Sequence, residues 1–304
     1  MGALERPIVV LANPTAGRGK AGRLIGRVDA LLHRQGVPHE FRVTESAEHL
    51  TSLARELGER GAIVAVLGGD GSAGLAANGL VGTAGALAML PAGTADDFAR
   101  SLGVGTLTAA ARALARPNVV AIDVVRVAVG PERRVFVNVA GAGFDSEVNE
   151  AANAMRLRLG STGTYIAAVV RTLPRFAPAR FRIELDDEVV EGPHMLVVVG
   201  NAPSYGGGMR VTPDASIVDG ELDVLLLRAL SKGAFLRAFP KVFRGTHVRH
   251  PAVRLVRARR VKVEADRRVQ VYADGERVGP LPAIFEVAPA ALPTVVGPNP
   301  RAVR

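Results

Sequence analysis

The chain has 304 residues, 48% of them hydrophobic and 22% charged, which supplies ample material for a core and argues against a disordered polymer. It contains no cysteine, which removes disulfide frameworks, thiolate zinc sites and cysteine nucleophiles. Its apolar runs are strand-sized, so neither a membrane-spanning helix nor a signal peptide is expected, and a soluble cytoplasmic protein is. The net charge of +9 is uneven: residues 228–268 hold thirteen Lys and Arg against two acids, and the rest of the chain is slightly acidic. Such a stretch points to a local anionic partner surface.

In chain order, residues 7–11 read as a buried strand, followed by a glycine-rich turn and a helical pattern through Leu24, Val28 and Leu32. A second strand at 40–43 precedes a helix at 50–57, a third at 62–67 runs into Gly68–Gly71 and another helix, and a fourth at 86–90 leads to a helix from about residue 95. This alternation predicts a parallel sheet wrapped by helices, with ligands at the carboxyl ends of its strands. From about residue 119 the texture becomes β-rich, with runs at 119–129, 134–139, 180–185, 195–200, 221–227, 260–264, 268–272 and 283–287. Only 149–159, 164–173 and 232–244 look helical there. The expected architecture is an α/β domain over 1–127 followed by a mainly antiparallel β-sandwich domain over 128–288. The Pro-rich tail, 289–304, is expected to fray or to pack back on the first domain.

Gly17, Gly19 and Gly22 form a G-x-G-x-x-G between a strand and a helix, with Glu45 twenty-odd residues on. Alone, this admits a dinucleotide site of an oxidoreductase or a plain helix-opening turn. The segment Gly68-Gly69-Asp70-Gly71-Ser72 is more telling. Its glycines let backbone N–H groups approach an anion at a helix start, while Asp70 would repel that anion unless a cation lay between them, which predicts a metal–phosphate pair. The chain has no Walker A loop, no kinase His-Arg-Asp set and no Gly-x-Ser-x-Gly elbow. The six histidines are scattered, and an aromatic content of 4% without Trp offers no stacking platform for nucleic acid.

Asn13-Pro14-x-x-Gly17, Gly68-Gly69-Asp70-Gly71-Ser72, Pro91-x-Gly93-Thr94-x-x-Asp97-Phe98-Ala99 and Asp274-Gly275-Glu276 occur here in an order that resembles the diacylglycerol kinase catalytic-domain family, which includes bacterial soluble lipid kinases and the sphingosine and ceramide kinases. The resemblance spans nearly the whole chain. It implies a lipid kinase dependent on ATP and Mg2+, its active site in the cleft between the two domains, transferring the γ-phosphoryl of ATP to a lipid hydroxyl. Diacylglycerol, giving phosphatidic acid, is the first expectation. The alternatives are another lipid alcohol such as phosphatidylglycerol or a sphingoid base, a non-catalytic nucleotide- or lipid-binding relative and, last, the dinucleotide-dependent oxidoreductase. By the same resemblance Asn13, Pro14, Gly17, Thr44, Gly68, Gly69, Asp70, Gly71, Ser72, Ala73, Gly74 and Thr94 contact the nucleotide, and Asp274 is the general base with Glu276 in support. Ser216, Asp219 and Glu221 hold a structural magnesium. Segments 139–145 and 205–208 match stretches near the family's lipid entrance.

Ser72, Gly74 and Leu75 stand where the family usually has Thr, Asn and Glu, and Asp96 where it usually has Asn. Asp70, Asp97 and Asp123 come from the ends of three successive β-elements; were those ends to converge, the three carboxylates would hold a catalytic magnesium. The expected partners are a membrane lipid and, through peripheral association, an anionic membrane surface, with a homodimer left open and nucleic acid excluded. In the 232–244 pattern Phe235, Phe239, Val242 and Phe243 share one arc and Arg237, Lys241 and Arg244 the opposite one, with Pro240 set to kink it.

Overall fold

In the computed structural model, which describes residues 6–14, 16–155 and 160–303, strand–helix alternation builds a parallel sheet from the first third of the chain. The elements are β1 (Ile8–Ala12), α1 (Ala16–Arg34), β2 (Glu40–Val43), α2 (Ala47–Glu59), β3 (Ile63–Gly68), α3 (Asp70–Leu80), β4 (Ala86–Pro91), α4 (Asp97–Ser101) and α5 (Leu107–Ala115). Strands β1, β3 and β4 are buried along almost their whole length, as strands covered on both faces must be. β1 lies between β2 and β3, and β4 follows β3, all parallel. The order 2-1-3-4 reverses direction between β1 and β3. Right-handed crossovers then place α1 on one face and α2 and α3 on the other, which agrees with the packing of α2 on α3 and of α1 on α5. The loops leaving β1 and β3 diverge at this switch point and open a crevice at the strand ends.

The rest of the chain forms β5 (Asn118–Val129), β6 (Glu132–Phe136), β7 (Val139–Gly143), α6 (Phe144–Ala154), α7 (Gly160–Thr172), β8 (Ala179–Leu185), β9 (Glu188–Gly200), β10 (Leu222–Arg228), α8 (Lys232–Ala238), β11 (Val253–Ala258), β12 (Arg260–Ala265), β13 (Gln270–Ala273), β14 (Glu276–Pro280) and β15 (Ala283–Val296). The chain divides into two units, Met1–Val124 with Pro289–Arg304, and Val125–Ala288. In the second unit the strands pair antiparallel, and β9 serves two neighbourhoods. Its first half pairs with β8, and its second half lies between β7 and β10. Alternation along the strands feeds two cores. Val197, Val199, Val224 and Leu226 join Phe181, Ile183 and Phe285 inside the sandwich, while Val198, Leu225 and Leu227 face Phe144, Val169 and Phe235 on the helix-covered side.

Several expectations need correction. The predicted run 134–139 is two strands, β6 and β7, parted at Val137 and Asn138, and β11 and β14 were not foreseen. The predicted helix 149–159 starts earlier and ends at Ala154; residues 156–159 lie outside the described residues. The 232–244 pattern is a short α-helix, α8, followed by 3-10 turns at Phe239–Arg244, because Pro240 enters at the start of the second segment. The tail does not fray: β15 continues through Pro289 and Pro293, buries Leu292, Val295 and Val296, and pairs Thr294 with Leu87 of β4.

The contact of α2 with α3 rests on Gly79. A Cβ there would sit 2.4 Å from the Thr51 carbonyl oxygen and 2.9 Å from the Ala54 Cβ. Gly79→Ala is expected to destabilise the protein by about 2 kcal/mol, since backbone and not a flexible side chain blocks the methyl. Gly26→Ala on α1, where a Cβ meets nothing within 4 Å, is expected to be neutral or stabilising. Chemical denaturation of both variants checks this, and equal effects would remove the steric account.

Candidate functional site

Three loops of the first unit meet at the strand ends. Asn13 and Pro14 leave β1, and α1 can pass close because its Gly22 has no side chain: a Cβ there would lie 2.9 Å from the Pro14 carbonyl oxygen. Gly17 falls in the first turn of α1. Gly69 and Gly93 press backbone to backbone, a Cβ on Gly93 falling 2.7 Å from the Gly69 Cα and one on Gly69 falling 3.0 Å from the Gly93 Cα. Lys20 spans two loops by donating from Nζ to the Gly93 carbonyl at 2.7 Å. Asp96 accepts from the Gly93 N–H at 2.8 Å while holding a left-handed backbone, φ 54. Burial pushes its carboxyl up, and the charges of Lys20 and Arg100 work against that.

Helix α3 starts directly after Gly69 with no side-chain cap, so its first turn presents backbone N–H groups at the crevice. The Asp70 carboxylate turns away from that turn. Its two oxygens accept from the N–H groups of Asp97, at 3.2 Å, and Phe98, at 2.8 Å, capping α4 instead. Burial pushes this carboxyl up to about 6, the two backbone donors pull it down, and the Asp97 and Asp96 charges raise it further. The Asp70 carboxylate thus braces a neighbouring helix, a structural role beside the metal–phosphate pair expected of it.

The three-carboxylate magnesium site is corrected for the same reason. Asp97 is fully buried and bonds Arg100 at 2.5 Å. Asp123 is buried and accepts from the Ala290 N–H at 2.7 Å, fixing the left-handed bend of β15. Among the described residues no three His, Asp or Glu side chains are grouped so as to hold an ion. Ala73 and Gly74 are also set aside, being buried within α3, with the Ala73 N–H bonded to the Gly69 carbonyl. Gly68, Gly69, Asp70, Gly71 and Ser72 stay at the crevice, the Ser72 side chain folded over Gly68. Thr94 is exposed on the third loop. Thr44 follows β2, its N–H bonded to the Ala12 carbonyl, and its buried hydroxyl makes no hydrogen bond. A glycine-rich helix start whose first N–H groups lack a side-chain cap fits the phosphates of a nucleotide.

In the second unit, Asp274 and Gly275 have φ 49 and 84 and join β13 to β14 as a two-residue hairpin turn of the type that demands two left-handed residues. The Asp274 carboxylate accepts backbone N–H bonds from Val137, Asn138 and Val139 at 2.9, 2.9 and 3.3 Å. It thereby fixes the β6–β7 junction and its own orientation together. Glu276 is exposed. In the 216–223 segment, Ser216 accepts from the Val218 N–H at 3.4 Å and Asp219 from the Glu221 N–H at 3.1 Å, with Arg257 3.2 Å from Glu221. Buried Asp223 lies beside them; burial pushes its carboxyl up to about 6, against the pull of Arg257. An oxygen-only donor set with excess negative charge fits a hard cation such as magnesium.

Between α6, α7 and α8 the second unit forms an apolar cavity of about 80 Å³, lined among others by Phe144, Val198, Leu225, Phe235 and Phe239. Its polar lining comes from Tyr165, Tyr205, His247 and His250. Both tyrosine hydroxyls donate to Asp145 at 2.5 Å and lie 3.1 Å from each other. Burial raises the Asp145 carboxyl, and its hydrogen bonds to Tyr165, Tyr205 and Asn149 offset this. Tyr165 escaped the sequence reading because nothing in a helical pattern twenty residues away links it to Asp145.

These features define an α/β unit with a glycine-rich, uncapped helix start, joined to a β-sandwich unit with an apolar cavity. Residues 7–127 match the diacylglycerol kinase catalytic domain, and residues 138–296 the YegS C-terminal NAD kinase beta sandwich-like domain. Diacylglycerol kinase of Mycobacterium tuberculosis is 38% identical over 293 residues, 94% of this chain and 93% of that protein, and diacylglycerol kinase of Bacillus subtilis is 31% identical over 91% of each. A solved diacylglycerol kinase structure from Bacillus anthracis shares the fold, with a TM-score of 0.75 at 21% identity over 99% of this chain and 100% of that one. The chain belongs to the diacylglycerol kinase catalytic-domain family, and the family makes it a kinase. Among the described residues no helix is long and apolar enough to cross a membrane.

The Asp70 brace carries a pH signature. With a folded pKa above the ordinary carboxylate value, the folded chain holds this proton more tightly than the unfolded one, so its contribution is full below about pH 4 and is lost as pH rises through about 6. Asp70→Asn is expected to reduce the fall in unfolding free energy between pH 4 and pH 7 by about 3 kcal/mol relative to the parent. Denaturant titrations in metal-free buffer at both pH values measure it. An unchanged pH slope would mean that Asp70 is not the titrating group.

Proposed function

We propose that the protein transfers the γ-phosphoryl of ATP to the hydroxyl of a membrane lipid, diacylglycerol in the first instance, giving phosphatidic acid. The observation that carries this reading is the pairing, in one chain of this family, of a glycine-rich uncapped helix start with an apolar cavity lined by two tyrosines that bond the buried Asp145. ATP supplies the phosphoryl group. Backbone N–H groups from Gly69 to Ser72 would hold its phosphates, with Asn13, Thr44 and Thr94 beside them, and Lys20 keeps two of these loops in register. The apolar cavity suits part of an acyl chain. Asp274 accepts the lipid hydroxyl proton as that oxygen attacks. A carboxylate fixed by three donors has one orientation, and for a weak base geometry supplies most of the benefit. Magnesium would be held at Asp219, with the carbonyls of Ser216 and Glu221, where it would tie a loop of the second unit.

Docking on an anionic bilayer belongs to the same proposal. Phe235 and Val242 are buried, whereas Arg237, Lys241 and Arg244 are exposed on the opposite side, so the aromatic arc is architectural and the basic arc is available to lipid headgroups. Each such residue near an anionic surface contributes on the order of 1 kcal/mol.

Labelled ATP with a panel of lipid alcohols in mixed micelles tests the reading, and diacylglycerol is expected to be the preferred acceptor. Preference for phosphatidylglycerol or a sphingoid base would move the substrate within the class, and no acceptor at all would leave a binding protein. Asp274→Asn is expected to lower turnover by roughly a hundredfold or more. Gly275→Ala strains the same turn by about 1 kcal/mol while keeping the carboxylate, and is expected to lower stability with little change in turnover. Equal losses of turnover in the two variants would make Asp274 a turn residue only.

A further inference from the structure

A second groove, of about 550 Å³, lies wholly within the second unit, between α6, the end of α7 and the turn joining β12 to β13. That size suits a small ligand, for which sites of about 300–1,000 Å³ are usual. Arg171 and Arg175 line one side and Arg267 and Arg268 another, with Glu147 and Glu150 of α6 opposite. Arg267 is tied down: its guanidinium lies 4.0 Å from Glu147 and 6.0 Å from the centre of the Phe176 ring, and it donates to the Ala177 carbonyl. Arg171, Arg175 and Arg268 make no side-chain hydrogen bond or ion pair among the described residues.

A helix C-terminus favours basic residues, which accounts for Arg171 in the last turn of α7. It does not account for Arg268, which sits in a turn between strands. Four guanidinium groups against two carboxylates, one of them taken up by Arg267, leave this concavity with an excess of positive charge that an anion relieves. Their planar forks match the oxygens of a phosphate, which can take two donors from one arginine and more from a second.

We propose that this groove is a phosphate-binding site, taking the phosphate of a phospholipid headgroup or of a soluble phosphomonoester. The inference concerns binding alone and stands apart from the transfer reaction.

The full chain is titrated calorimetrically with glycerol 3-phosphate and with inorganic phosphate, and sedimented with phosphatidylcholine vesicles with and without phosphatidate. The same measurements are made on R171Q/R175Q/R268Q, which leaves the packed Arg267 intact, and on R27Q/R112Q/R116Q, which removes the same charge from exposed positions of the other unit. At least one probe is expected to bind, and the groove variant to bind it roughly tenfold more weakly or worse, the scale of lost charge-assisted hydrogen bonds, with the control close to the parent. Loss of glycerol 3-phosphate binding identifies a soluble ligand, and loss confined to phosphatidate vesicles identifies a headgroup. Equal losses in groove and control variants would show general charge attraction and overturn the site, as would unchanged affinity or no binding by the parent. If the triple variant melts early, R175Q and R268Q are measured singly under the same criteria.

Discussion

The first unit is organised around one half-buried acid that begins one helix and caps another. Asp70 opens α3, yet its carboxylate binds the first N–H groups of α4, so the loops after β3 and β4 cannot move independently. Burying that group is costly, as its raised pKa records, and two backbone donors offset the cost in part. Beside it, Gly69 and Gly93 approach so closely that a methyl group on Gly93 would lie 2.7 Å from the Gly69 Cα, and one on Gly69 would crowd the Gly93 Cα at 3.0 Å. The result is a rigid floor made of backbone, with the start of α3 lacking a side-chain cap, and such a floor suits phosphate better than a side-chain cluster would.

The second unit solves a different problem. Antiparallel strands with period-two alternation divide their side chains between a sandwich interior and a helix-covered face, and the apolar cavity lies on the latter. Asp274 and Asp145 serve this unit in contrasting ways. Asp274 turns its carboxylate to the backbone of the β6–β7 junction, which fixes a hairpin and a strand start at once. Asp145 turns its own to two tyrosine hydroxyls at the cavity lining, a buried polar cluster whose members satisfy one another.

Strands β1 to β4 and the glycine loops after them were legible because continuous apolar runs broken by Gly and Pro have few readings in a parallel sheet. The Asp-Gly pair was legible as a turn by its residue types. What escaped was direction and pairing. Sequence displays the three aspartates but not that Asp70 points at α4 and Asp97 at Arg100, nor that Asp123 lies within β5 and not at a strand end, bonded to Ala290. Internal prolines and glycines hid whole stretches of strand: Gly192 and Pro193 masked the first half of β9, and Pro289 and Pro293 masked the second half of β15. Tyr165 and the arginine groove depend on contacts between residues far apart in sequence, which no local pattern records.

The central claim is that the backbone floor around Gly69 and Gly93 receives the phosphates of ATP. The most direct measurement is the melting temperature of the full chain with ATP and magnesium, compared with NAD and NADH, in the parent and in Gly69→Ala. Ligand that binds the folded state alone raises stability by about 2.7 kcal/mol at a hundred times its Kd. A rise with magnesium and ATP that is lost in Gly69→Ala is the predicted result. A rise with NAD or NADH and none with ATP would contradict the account and return the first glycine segment to a dinucleotide.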